Sequence, residues 1–311
     1  MADTVLPRGK VTPIVDTRPR RKFWSGENPL FWLIPAVLFL LLYSIFPLLF
    51  NIYRSFFEFS SSRKVWVDLG VRNWVELFTD DPRFLNALGV TLTYVAVALA
   101  IQLLLGMLIA LLLDAKPWGS GLMQTLIILP MVVAPAVAGL MGRLMMHSEF
   151  GVISVYSYQL GLLEKSEPLL GGTGRFALIA VLLVDIWQWT PFFVLIILAG
   201  LKGMPHEVLE AAEVDGANWF QRLTRVKIPL LFGVITVAIL FRLVDLFKIF
   251  DYIAIMTAGG PAGRTESVSY YSFVNTFSQV KWGYGATIGV VIMVMGWVAA
   301  WIYQKVFRLK W

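Results

Sequence analysis

The chain has 311 residues, 58% hydrophobic and 15% charged, against about 45–50% and about 25% in a soluble domain. That balance excludes an ordinary soluble globule and points to an integral membrane protein. The absence of cysteine excludes disulfides, thiol chemistry and Cys-built metal sites. The net charge of +6 is no nucleic-acid footprint, because no basic run is interleaved with aromatics.

Residues 1–29 are polar and carry Arg8, Lys10, Arg18, Arg20, Arg21 and Lys22. The apolar run that follows is too long for a signal-peptide core and ends in no small-residue cleavage site. The expectation is a cytoplasmic tail and an uncleaved first span. Six stretches reach the ~20 mostly apolar residues that a helical span needs. They are Leu30–Tyr53, Ala87–Leu113, Leu122–Met146, Phe176–Leu201, Ile228–Met256 and Tyr284–Phe307. Pro35, Pro47, Pro130, Pro135 and Pro191 lie inside them, which neighbouring helices or water make tolerable in a bundle. With the N-terminus inside, the segments expected to be cytoplasmic hold fourteen Lys and Arg, including Lys116, Lys202, Lys305, Arg308 and Lys310. The outer segments hold nine: Arg54, Arg63, Lys64, Arg72, Arg83, Lys165, Arg175, Arg264 and Lys281. This bias places both termini in the cytoplasm. With no internal repeat, residues 30–311 are expected to form one all-α, six-helix membrane domain.

Between the fourth and fifth spans lies a polar island, about residues 202–227, expected on the cytoplasmic side. It reads as two short helices. Pro205 suits the first position of one, Glu207 favours its dipole, and Gly216 ends it. Asn218 caps the second, with Gln221 as capping-box partner. Trp219, Phe220, Leu223 and Val226 form an apolar stripe expected to pack back on the bundle. Arg222, Arg225 and Lys227 sit at the cation-favouring end. On these grounds alone the island is either an interfacial connector or a docking element.

The series Glu210-Ala211-Ala212, three residues, Gly216, nine residues, Val226-x-Ile228-Pro229 resembles the EAA signature of ABC importer permeases. The resemblance implies a coupling helix that docks on a separate ATPase subunit, with Glu210, Ala211, Ala212, Asp215 and Gly216 as coupling residues. Further stretches are similar to the carbohydrate-uptake branch, the maltose and glycerol-phosphate type of permease. They include Tyr53-Arg54-Ser55-Phe56, Val71-Arg72-Asn73-Trp74, Asp81-Pro82-Arg83-Phe84, Thr257-Ala258-Gly259-Gly260-Pro261 and Gly283-Tyr284-Gly285. The resemblance implies a second permease subunit, two ATPase subunits binding ATP and Mg, and a periplasmic solute-binding protein, all at a bacterial inner membrane. This chain then needs no cofactor of its own and is a transport subunit, not an enzyme.

Arg242, Asp245, Lys248 and Asp251 follow one another at steps of three in the fifth span, so they share a face and can pair in sequence. A charge at the bilayer centre costs about 2.5–3.5 kcal/mol, so that face looks at protein or at a water-filled path. In the fourth span, Asp185-Ile186-Trp187-Gln188-Trp189-Thr190-Pro191 offers aromatic faces and an amide, the groups that bind sugars. It is otherwise an aromatic packing cluster. The substrate-path candidates are Trp187, Gln188, Trp189, Arg242 and Asp245. Arg143 is expected to snorkel at the outer end of the third span. His147 and His206 stand apart and hold no metal. Gly285-x-x-x-Gly289 permits close helix packing. Gly259–Thr265 imitates a phosphate loop without its spacing or its Lys. The alternative from another class is a secondary transporter driven by an ion gradient, with the fifth-span charges as relay.

Overall fold

A computed structural model describes residues 29–60, 65–162, 164 and 168–307. The N-terminal cations Arg8 to Lys22, and Arg63, Lys64, Lys165, Arg308 and Lys310, lie outside these residues. The chain divides into two compact units, residues up to Phe50 and residues from Asn51 onward. The first contains α1 (Pro29–Leu40), a π-helical turn at Leu41–Ile45 and the start of α2 (Phe46–Arg54). Pro47 explains the wide turn: its ring crowds the carbonyl four residues back and supplies no N–H, and a π turn spreads the misfit. The same arrangement recurs at Leu223–Lys227, two residues before Pro229.

The second unit opens with the end of α2 and a short antiparallel hairpin. Its strands are β1 (Phe57–Ser60) and β2 (Val65–Leu69), paired from Phe57 with Leu69 to Ser60 with Val65. Then follow α3 (Arg72–Thr79), α4 (Pro82–Asp114), α5 (Ser120–Val132), α6 (Pro135–Met145), α7 (Val152–Gln159) and α8 (Ala177–Lys202). After these come α9 (His206–Val214), α10 (Trp219–Arg222), α11 (Ile228–Leu246), α12 (Asp251–Met256), α13 (Val268–Phe273) and α14 (Trp282–Phe307). Among the described residues five helices are long and apolar enough to cross a membrane, or six if a bent pair counts as one.

Two expected spans are broken. The third divides into α5 and α6, which meet at 95°. Val133 and Ala134 are extended there, and Pro135, with no N–H to give, starts the new helix. The fifth ends at Leu246, and α12 follows only after Phe247–Phe250. The hairpin, α3, α7 and α13 were not foreseen; they fill the connections between spans.

α8 is the axis of the unit. Two thirds of its most apolar stretch is buried (67%), against 22–39% for α4, the α10–α11 span and α14. α4 lies directly on it, because Gly106 lets the backbones approach; a Cβ there would overlap Phe193. Tyr94, Ala98, Val181 and Val184 form one apolar layer, and Ala110, Phe193, Ile197 and Leu201 a second. A third joins Leu77, Phe84, Val268, Tyr284 and Ile288. Between spans these layers are held by close van der Waals packing rather than by transfer from water, since lipid tails are as apolar as Leu.

Candidate functional site

The motif glycine has a conformational reason. Glu210 to Val214 make the last turn of α9, Asp215 caps it, and Gly216 adopts φ +74°. The Gly216 N–H donates to Glu213 C=O and the Ala217 N–H to Ala212 C=O, both at 3.0 Å. These are the paired bonds of a Schellman close. A Cβ at Gly216 would meet nothing within 4 Å, so the requirement is the left-handed backbone, which costs another residue about 1–2 kcal/mol. Beyond it the expected capping box is present: Asn218 Oδ1 accepts from Gln221 N–H and Gln221 Oε1 from Asn218 N–H, both at 2.9 Å.

Glu210, Ala211, Asp215 and Gly216 are exposed and Ala212 is half-buried. Val208, Val214, Trp219 and Phe220 are exposed beside them, Val214 at 87%. Two expectations need correction here. The second short helix is not separate, since α10 runs through the π turn into α11. Its apolar stripe does not fold back whole. Trp219 and Phe220 stay open, and only Leu223 and Val226 turn inward, because α10 is the first turn of the fifth span. Glu213 pairs with Arg222. Lys227 Nζ lies 2.7 Å from Asp114 Oδ2 and offsets a carboxylate at the unfavourable C-terminal end of α4. The groove between these elements holds about 270 Å³ and is lined by Leu111, Asp114, Leu209, Trp219 and Arg222.

The second assembly is buried among the spans. Arg242, 3% exposed, gives Nη2 to Asp185 Oδ1 at 2.5 Å, Nε to Gln102 Oε1 at 3.0 Å and Nη1 to Asp245. Gln102 Nε2 donates to Asp185 Oδ2 at 3.0 Å. The guanidinium sits 4.5 Å from the Trp189 ring centroid. Trp189 Nε1 donates to Tyr252 Oη at 3.1 Å, and Tyr252 donates to Gln188 Oε1 at 2.5 Å. Gln188 Nε2 ends the chain on the Val133 carbonyl, at 2.5 Å. In a continuous helix that carbonyl would take the Val137 N–H, which here bonds Ala134. An unsatisfied carbonyl inside a membrane costs several kcal/mol, and Gln188 removes that cost.

Gln188, Trp189, Arg242 and Asp245 are therefore brought together. Trp187 is not; it is 46% exposed and lines an apolar cleft of about 440 Å³ with Met141, Met145, Ile153 and Leu183. The four-charge ladder stops after its first step, Arg242 to Asp245, because the helix ends at Leu246 and leaves Lys248 and Asp251 exposed. Arg242 pairs across to α8 as well as along its own helix. Gln102 and Tyr252 were missed. Gln102 is a lone amide in the apolar run from Val95 to Leu113 and could have been flagged; Tyr252 gives no such signal. Arg143 is exposed and gives Nη1 to the Ile255 carbonyl at 3.0 Å.

A third cluster ties the far end of α4. Asp81 Oδ1 caps that helix at Phe84 N–H, 3.0 Å away. Its Oδ2 accepts from Tyr271 at 2.5 Å and from Tyr284. Burial pushes this carboxyl up, but the two hydroxyls and the Phe84 and Arg83 amides together hold it below the usual aspartate value. Arg83 makes two 2.8 Å bonds to the buried Glu266.

Fold and sites define a polytopic helical membrane protein with an exposed motif helix and charges buried between its spans. The chain belongs to the binding-protein-dependent transport system inner membrane component family, which matches residues 102–309, and so is the permease component of an ABC importer rather than an enzyme. It is 33% identical over 97% of its length, and 96% of the relative's, to a probable ABC transporter permease protein, y4oQ, of Sinorhizobium fredii. It is 31% identical to the trehalose/maltose transport system permease protein MalF of Thermococcus litoralis, over 78% of this chain and 80% of that one. It is 30% identical to the sulfoquinovosyl glycerol transport system permease protein SmoG of Agrobacterium fabrum, over 89% of each chain. A chain of a bacterial alginate ABC importer superposes with TM-score 0.79, covering 90% of this chain and 94% of that one at 20% identity, which is a likeness of fold. The matches support the importer reading and not the ion-gradient alternative.

Proposed function

We propose that this permease carries a sugar or sugar-like solute, such as a glycoside or polyol, into the cytoplasm by alternating access. The observation that carries the solute class is the set of relatives at 30–31% identity named for trehalose/maltose and sulfoquinovosyl glycerol transport. In this reading residues 30–311 form six spans, the bent α5–α6 pair counting as one, with both termini and the loop at about 202–227 in the cytoplasm. α9 is the coupling helix. Glu210, Ala211, Ala212, Asp215 and Gly216 meet an ATPase subunit, two of which serve this chain and a second permease. A periplasmic binding protein delivers the solute at the opposite end. What supports α9 is its exposed motif face with four apolar side chains open beside it.

The solute path is assigned to the Asp245 face of α11. Asp245 is 52% exposed, while its partner Arg242 is buried, and Phe241 beside it is 69% exposed. Arg242, Trp189 and Gln188 act from behind this surface, and Trp187 belongs to the other side of α8. The test is uptake by vesicles holding the complete transporter and its binding protein, across labelled mono- and disaccharides. ATP-driven accumulation of at least one is expected, reduced by Asp245→Ala with assembly intact. Uptake of none across the panel would refute the sugar assignment.

A further inference from the structure

Two spans are broken, and α8 reaches both breaks. α5 gives way to α6 at Val133 and Ala134, and α11 to α12 at Phe247–Phe250. The half-helices beyond the breaks are joined to each other. Gly139 of α6 faces the Tyr252 backbone, where an added Cβ would stand 3.5 Å from its Cα. Arg143 of α6 holds the Ile255 carbonyl of α12. Gln188, 1% exposed, bonds both partners: the Val133 carbonyl at the first break and Tyr252 just past the second. A primary amide is suited to this position, since one planar group offers a donor and an acceptor. A carboxylate would face the Val133 oxygen with another acceptor, and a thioether would offer neither bond.

We propose that Gln188 is a positioning residue for transport: its amide clasps the α5–α6 bend to α12, so that the bend keeps one angle and α6 and α12 move as one body. The clasp reaches Arg242 through Tyr252 and Trp189, which ties the same body to Asp185 on α8 and Gln102 on α4. Gln188 therefore serves the path without touching solute. This inference rests on the alternating-access reading above.

The chain contributes no native cysteine, so spin labels can be placed by Leu122→Cys and Leu144→Cys, at exposed positions of α5 and α6. Distances are measured in the complete transporter in lipid nanodiscs, alongside ATP hydrolysis stimulated by its solute-binding protein. Gln188→Met keeps the side-chain length and removes the amide. It is expected to broaden the single distance population of the parent and to cut stimulated hydrolysis per assembled transporter about tenfold, equivalent to about 1.4 kcal/mol. Tyr252→Phe removes one hydroxyl and is expected to do the same to a smaller extent; it carries the test if Gln188→Met does not assemble. Parent-like distances in whichever variants assemble overturn the clasp. Broadened distances with parent-like stimulated hydrolysis overturn its role in transport. Absence of any binding-protein-stimulated hydrolysis in the parent itself counts against the alternating-access reading instead.

Discussion

Arg242 shows what a charge among apolar helices requires. Its guanidinium meets Asp185, Asp245 and Gln102 and lies over Trp189, so little of its hydrogen-bonding capacity is left open. Removing one member of such a buried pair costs about 3–5 kcal/mol, whereas replacing both by apolar residues is often neutral. Arg242→Met is therefore expected to lower the thermal unfolding midpoint in detergent sharply. Adding Asp185→Leu should restore most of the loss; a double variant as unstable as the sum of its parts would contradict the pairing. At the other end of the unit, Asp81 has its carboxyl held down by hydrogen bonds from Tyr271, Tyr284 and two amides. A lowered folded value means that this stabilisation is complete above the ordinary aspartate value near 3.8 and is lost as pH falls through the folded value. Asp81→Asn keeps a good helix cap and is expected to flatten the acid limb of a stability–pH curve; an unchanged limb would exclude Asp81 as its source. The charges of the fifth span were legible because their spacing is local. The Arg242–Asp245 pair followed from that spacing, but the partners across the bundle did not, because Asp185 and Gln102 come from other spans.

At the scale of elements, length and hydropathy identified the long helices to within a few residues: Phe176–Leu201 was expected and Ala177–Lys202 is present. The capping signals around Gly216 and Asn218 were equally readable, since each is a local hydrogen-bond pattern. The breaks were not. A helix apolar on every side has no periodicity to interrupt, and proline inside a span is compatible with either a kink or a full break. Pro191 sits within an unbroken α8, while Pro135 starts a new helix after a 95° turn. Gly106 marks a close approach of α4 to α8. Gly106→Val drives a side chain into Phe193 and is expected to destabilise by about 1–3 kcal/mol or more, as overpacking does. Normal yield and melting of that variant would show that the two helices can separate without cost.

The whole molecule is a permease whose sequence holds no phosphate-loop motif, and its motif helix α9 is largely exposed, as the proposed coupling role requires. The family was legible from the spacing of Glu210, Ala211, Ala212, Gly216 and Pro229. The solute was not. Half-exposed Asp245 is where the buried relay around Arg242 reaches the surface of this chain, and a second subunit completes the path in the proposed assembly. The most direct test compares ATP-driven solute uptake, and co-purification of the ATPase subunit, between the parent transporter and Gly216→Val. Valine at φ +74° costs about 1–2 kcal/mol and opens the Schellman close without touching the spans. The account predicts normal membrane insertion with ATPase association and uptake both down about tenfold, equivalent to about 1.4 kcal/mol of lost coupling; parent-like association and uptake, or uptake that follows an ion gradient without ATP, would contradict it.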